Sequence, residues 1–359
     1  MRDLLIFMLV CCAAFIFVTL GSYQFELWRL QQQRDSLISE RELQKCKRLM
    51  EKYASVTALK KAQPKDFLED VRDLMSCPWT VNRTQMEISR TELYYCCNAT
   101  EGLILTRRNT PLGQKITYDG ERKRTRVVDK FLFNMLPERT PWKSGGHLGR
   151  CAVVGNGGIL RNSSCGSEIN AADFVIRLNL APINFSADVG VKTSLVTANP
   201  TQIRRGYPNL KKSPEPLAQR VSAYGNAPLL LPAFAYAFCT ELSFQVHRAL
   251  RPLRPKQKVV FFNPDYLLQL DRYWRRKGQR AMRLSTGLML ASMALELCDE
   301  VDLYGFWPFG FDLDKQAVPH HYYDNVGPKP GAHAMPQEFL QLLKMHSKGA
   351  LKLHIGKCQ

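Results

Sequence analysis

The sequence predicts an α/β fold of the Rossmann-like kind, with a mostly parallel central sheet flanked by helices. Three observations carry this. Short apolar runs recur at Cys151–Val154, Asp173–Leu178, Ala227–Pro232, Lys258–Phe262 and Val301–Phe306, the pattern of strands buried on both faces. The first run empties into Gly155-Asn156-Gly157-Gly158, a turn whose missing side chains let a phosphate or sugar approach the backbone. An apolar helical run, Leu288–Cys298, leads into the last strand. In open α/β sheets ligands collect beyond the carboxyl ends of the strands. Asn156 and Asn179, each directly after such a run, stand where a nucleotide would be held.

At the N-terminus, Leu4–Tyr23 carries no charge and is long enough to span a bilayer. Its length and the poor cleavage site at Gly21-Ser22 favour an uncleaved signal anchor over a signal peptide. Residues 1–3 then form a cytoplasmic tail, and residues 24–75, charged and helix-compatible, a stem. The stem leucines permit weak self-association as a homodimer, but their heptad pattern is too broken for a coiled coil. Residues 76–359 form the lumenal body, with compact structure starting at Cys77-Pro78-Trp79. A helix is expected over Val128–Leu136.

The chain has 359 residues, 45% hydrophobic and 23% charged, enough for one sizeable domain with appendages. Its net charge of +18 fits nucleic acid, an anionic membrane or acidic small substrates. The excess is spread along the chain, and its local peak, Gly120–Arg126, has no interleaved aromatics, so nucleic acid is not the expected partner. Four sequons, at Asn82, Asn98, Asn162 and Asn184, lie downstream of the span and are glycosylation candidates that suit a lumenal body. Of 11 cysteines, Cys11 and Cys12 lie in the span. None of the rest forms a C-x-x-C pair, which excludes a zinc knuckle or redox motif. In an oxidising lumen most should pair, and an odd number leaves one over.

Several features compete for the chemistry. Gly155 and Gly157 fit two glycines of the dinucleotide fingerprint, but Leu160 occupies the third position. Ser285 or Thr286 suits an N-cap, whose helix end favours an anion or is simply a capped core helix. His320, His321 and Asp324 invite a metal, yet their spacing fits no zinc pattern. Asp312-Leu313-Asp314 is a D-x-D, a pattern common by chance.

Taken as whole segments, four stretches are more specific. Cys151–Thr197, with its AVVGN-x-GIL and DVG-x-K-T elements, resembles the large sialylmotif of animal sialyltransferases (glycosyltransferase family 29), and specifically the α2,8 group. Arg283–Phe306 resembles the small sialylmotif, His321–Asp324 (HYYD) the third motif, and His333 with Glu338 the very small motif H-x4-E. Lys45-Cys46-Lys47, Ser76–Trp79, Cys96-Cys97 and NTPLG (Asn109–Gly113) look most like the type VI and type V subgroups. Leu178 departs from the pattern, since α2,8 members usually carry Cys there.

The resemblance implies a GT-A-like sialyltransferase variant of the fold and a single-pass type II Golgi protein. It implies transfer from CMP-sialic acid to the 8-hydroxyl of a terminal sialic acid, by single displacement with inversion. His333 would be the general base and His321 the partner of the departing phosphate. Asn156, Asn179, Ser285, Thr286, Gly287 and Trp307 would meet the donor. A monophosphate donor has no diphosphate to bridge, so no metal or other cofactor is expected. Acceptors would be sialylated glycoproteins, with gangliosides the alternative. Residues 131–150 are only modestly basic, unlike the tract of polysialylating relatives, so one or a few sialic acids are expected. Related enzymes imply the disulfides Cys151–Cys298 and Cys165–Cys358, which leaves Cys46, Cys77, Cys96 and Cys97 with three connectivities and Cys239 free. A rival of another class is an inactive lumenal protein that binds glycan or nucleotide on the same fold.

Overall fold

The computed structural model describes residues 2–56, 64–142, 147–280, 282–326 and 333–358, and only the backbone of 2–18, 33, 35–37 and 64–66. After a small antiparallel hairpin, β1 (Lys115–Thr117) and β2 (Thr125–Val127), the chain builds one seven-stranded sheet. Its strands are β3 (Arg150–Val154), β4 (Phe174–Arg177), β5 (Leu195–Thr197), β6 (Leu229–Leu231), β7 (Val259–Phe261), β8 (Glu300–Tyr304) and β9 (Lys352–His354). They pair in parallel in the order β7-β6-β5-β4-β3-β8-β9. The chain thus steps outward from β3 to β7 and returns to the other side of β3. The strand order reverses between β3 and β8, and that crevice is where open α/β sheets bind ligands.

The five strands read from the sequence are present because interior parallel strands bury both faces. Cys151 and Val153 face one core cluster, Ala152 and Val154 another. The short strands β5 and β9 were not read. The helix expected at Val128–Leu136 spans Lys130–Met135, with the Asp129 carboxylate accepting from Leu132 N at 2.7 Å. The helix Thr286–Leu297 is buried all round, lying against β3 and β8 on one side and against the helices Arg83–Cys96 and Ala99–Gly102 on the other. This is why its sequence shows apolarity without amphipathic periodicity.

The N-terminal segment forms one helix, Arg2–Ser55. The side chains of 4–18, most of the expected span, lie outside the described residues; among those described, no helix is long and apolar enough to cross a membrane. Among the described residues, the expected free stem is docked at 46–56 and 67–75. Cys46 is bonded to Cys77; Leu49, Tyr53, Phe67, Val71 and Leu74 join the main core; and Tyr53 Oη donates to Asp70 at 2.8 Å. Phe67 packs edge-on against Phe339 of the helix Met335–Ser347. Amphipathic spacing in a charged segment gave no sign of a partner so distant in sequence.

Cys151 is bonded to Cys298 and Cys165 to Cys358. The vicinal pair Cys96–Cys97 is bridged, and Cys239 is a buried free thiol.

Candidate active site

The carboxyl ends of β3 and β8 are laced together backbone to backbone. Gly155 N donates to Tyr304 O at 2.7 Å and Gly157 N to Gly305 O at 3.0 Å. A Cβ on Gly155 or Gly157 would stand 2.7 or 2.6 Å from Gly305 O, and one on Gly158 would collide with Pro319 O. The glycines therefore admit the chain's own backbone, which corrects the expectation that they open space for a ligand. What they bring in is the segment 319–324: Gly158 N donates to His320 O at 3.2 Å, and Tyr322 N to Asn156 O at 3.0 Å. The buried Tyr322 hydroxyl anchors it further, donating to Pro182 O at 2.7 Å.

The loop after β3 thus sets Asn156 beside the segment that carries His321. The His321 ring lies parallel to Tyr323 at 5.1 Å, and its Nδ1 is 2.7 Å from Asp324 Oδ1. A carboxylate only accepts, so Nδ1 carries the proton and Nε2 remains for another partner. Asp324 also accepts from Val326 N at 3.0 Å. Burial pushes neighbouring His320 below the ordinary histidine value. In the sequence Asp324 appears as a possible metal ligand and as the last residue of the HYYD motif, and neither reading indicates its bond to His321.

Asn179 follows β4 in the left-handed region at φ 56°, where asparagine is among the few tolerated residues, and its N–H donates to Thr197 Oγ1 at 2.9 Å. The Oδ1 atoms of both Asn156 and Asn179 are buried without a hydrogen-bond partner. A buried acceptor left unpaired is costly, and both of these lie just past the carboxyl ends of sheet strands. Leu178 beside them is 6% exposed in the main core, which accounts for an apolar residue there. The D-V-G-x-K-T element proves to be scaffolding. Val189 O and Lys192 O accept from the buried Arg177 guanidinium at 2.8 and 2.9 Å, and Asp188 accepts from Asn162 N and Ser164 N.

A second half of the site surrounds the N-terminus of the helix Thr286–Leu297. Ser285 caps it, its Oγ accepting from Leu288 N at 3.1 Å, and Ser285 N donates to Glu338 Oε1 at 2.8 Å. Both are buried, so these Ser285 groups serve the fold. Burial raises the Glu338 carboxyl above its ordinary value, against the pull of its bonds to Ser285 and the charge of His333. Gly287 leaves room for the Phe306 ring, which a Cβ would approach to 2.9 Å. Thr286 is the half-buried residue of the three. His333 Nδ1 lies 3.0 Å from Arg283 O; a carbonyl only accepts, so Nε2 is left unprotonated on the neutral ring. The Arg283 guanidinium is 3.6 Å from Asp119, whose carboxyl is raised by burial despite that charge.

One expectation changes. Trp307 is 6% exposed, stacked edge-on against Phe309 and Phe339, with Nε1 donating to Phe311 O at 2.7 Å. Its ring is core, not a donor contact. Asp312 Oδ1 accepts from Asp314 N and Gln316 N at 2.9 and 2.8 Å, so the D-x-D closes a turn, and Asp314 pairs with Arg72 at 3.1 Å.

A family model for glycosyltransferase family 29 (sialyltransferase) matches residues 104–350. The chain belongs to this family. The alpha-2,8-sialyltransferase 8F of Mus musculus is 44% identical to this sialyltransferase over 88% of this chain and 80% of its own length. The alpha-2,8-sialyltransferase 8E of Rattus norvegicus is 42% identical over 88% and 84%. Among solved structures, a mammalian sialyltransferase in complex with Gal-beta-1-3GalNAc-ortho-nitrophenol is 22% identical, covering 84% of this chain and 99% of that one at a TM-score of 0.44.

Proposed function

We propose that this sialyltransferase moves sialic acid from CMP-sialic acid to the 8-hydroxyl of a terminal sialic acid on glycoprotein O-glycans, adding one or a few residues. The names of the 42–44% identical relatives support the linkage. The observation that carries the chemistry is His333, whose Nδ1 faces a carbonyl so that Nε2 is free to take a proton. The anomeric carbon is tertiary and carries a carboxylate, so the transition state is loose and oxocarbenium-like. His333 Nε2 accepts the proton of the attacking hydroxyl. His321, its Nδ1 proton directed to Asp324, acts here as the imidazolium, whose Nε2–H donates to the phosphate as negative charge builds there. The orphaned Asn156 and Asn179 oxygens accept from donor N–H or O–H groups, and Thr286 with the free helix-end N–H groups faces its anionic part. Attack opposite the leaving group inverts the centre. In this reading residues 4–23 anchor the protein in the Golgi membrane with its body lumenal, and the reaction runs without a metal.

The test is a transfer assay with CMP-sialic acid, a sialylated O-glycoprotein and a ganglioside side by side, in EDTA, with linkage read by specific sialidase and mass spectrometry. New α2,8 disialyl groups chiefly on the glycoprotein are expected. Products chiefly on the ganglioside would move the acceptor assignment, and products of another linkage would overturn it. His333→Ala is expected to abolish transfer while CMP binding persists; retained turnover would refute the role of His333.

A further inference from the structure

Outside the groups used above, one exposed cluster combines rings and cations. Phe238 opens the helix Ala237–Leu253 after β6 and is 54% exposed. Its ring stacks on Tyr236 at 5.8 Å with 14° between planes. The Arg204 guanidinium, from the helix Pro200–Gly206 after β5, lies over Phe238 at 5.7 Å. Arg283 lies over Tyr236 at 5.4 Å, and its carbonyl is the one that holds His333. Arg204 has no carboxylate within ion-pair distance among the described residues. The β1–β2 hairpin supports the pair from below: a Cβ on Gly120 would run into the Tyr236 ring, and Ala237 N donates to Glu121 Oε2 at 2.8 Å.

We propose that this aromatic–arginine ledge binds the acceptor, with Phe238 under an apolar sugar face and Arg204 on a sugar carboxylate. The inference rests on the acceptor class proposed above. Tyr236 is half-buried and holds the exposed Phe238 ring from beneath, and the electron-rich faces of aromatic rings attract the polarised C–H groups of a pyranose. An arginine already stacked on that ring is pre-organised, and its planar fork matches a carboxylate. Both elements follow the carboxyl ends of sheet strands, the edge that carries Asn156 and Asn179. From Arg204 through Phe238, Tyr236 and Arg283 the contacts run without a break to His333, which ties the ledge to the proposed base. The occupant is therefore a sialylated oligosaccharide, whether borne on protein or on lipid.

The test is direct glycan binding by the full chain loaded with CMP, titrated with a sialylated trisaccharide and its desialylated counterpart. Phe238→Ala and Arg204→Ala should each weaken binding of the sialylated sugar by about tenfold, with CMP affinity unchanged. Arg204→Lys should recover only part of the loss. The desialylated sugar should bind no better to wild type than to Arg204→Ala. Equal binding of the sialylated sugar by wild type and variants, equal binding of both sugars by wild type, or a parallel loss of CMP affinity would each overturn the ledge. Acceptor KM for the glycoprotein and the ganglioside then tells which source uses it: a rise with one alone assigns that one, and a rise with both assigns their shared terminus. Because binding is read without turnover, failure of transfer counts against the proposed reaction and not against the ledge.

Discussion

Asp324 shows how much one oxygen decides. Without the 2.7 Å contact, the His321 proton is free to sit on either nitrogen, and the ring is held only by its contacts with His320 and Tyr323. Asp324→Asn should lower kcat by about 10- to 100-fold, part of what acid–base assistance is worth. The Kd for CMP should stay nearly constant; a kcat within twofold of wild type would remove Asp324 from the mechanism. At this scale the sequence was a partial guide. Asn156, Asn179, His321 and His333 stand out in the sequence by position and type. Trp307 reads the same whether its ring meets a ligand or Phe339, because only packing distinguishes the two. Asp324 and Glu338 act on neighbours whose approach no local spacing reveals.

Among elements, the turn after β3 and the helix after Ser285 are the ones most sensitive to small changes. Gly158→Ala forces a methyl onto Pro319 O and should push the segment carrying His321 away from β3, reducing both transfer and melting temperature. A Gly158→Ala protein with wild-type kcat would show that the segment tolerates displacement. Glu338 joins two helices through Ser285 N. Glu338→Ala strands that buried N–H and should destabilise the protein by about 1–3 kcal/mol, whereas Glu338→Gln keeps an acceptor and should cost less. Burial raises this carboxyl, so its ionisation works against folding. Glu338→Gln should therefore remove a loss of stability that wild type suffers as pH climbs from the ordinary glutamate value to the raised one. Elements of the central sheet were legible because apolar runs between turn residues have few other meanings. β5 and β9, with three residues each, are too short to display a period, and the docking of Leu49, Tyr53, Phe67, Val71 and Leu74 depends on surfaces made elsewhere.

For the whole molecule, acidity acts through His346. It is buried against Trp79, its Nδ1 accepts from Leu353 N at 3.2 Å, and burial lowers it to about 3. The unfolded chain protonates this residue near pH 6.5, so between that value and about 3 the unfolded state holds the extra proton. Stability is lost as pH falls through this window, by about 2 kcal/mol at pH 5. Melting temperature should drop from pH 7 to 5, and His346→Gln should flatten that slope; an unchanged slope would place the sensitivity elsewhere. Buried Asp302 is lowered despite its burial by His354 and Arg150, so its contribution persists to more acid pH and fails only below the ordinary aspartate range.

β3 is an interior strand of the sheet, yet one of its neighbours is encoded far downstream. Cys151 meets a cysteine 147 positions later and Cys165 one 193 positions later. A ribosome delivering this chain from its N-terminus therefore releases β3 with one edge bare until residue 300 emerges. The last bridge waits for Cys358, almost the final residue. Oxidation of Cys165 before that point has only wrong thiols to join, so the yield of folded protein should depend on how late this bridge closes.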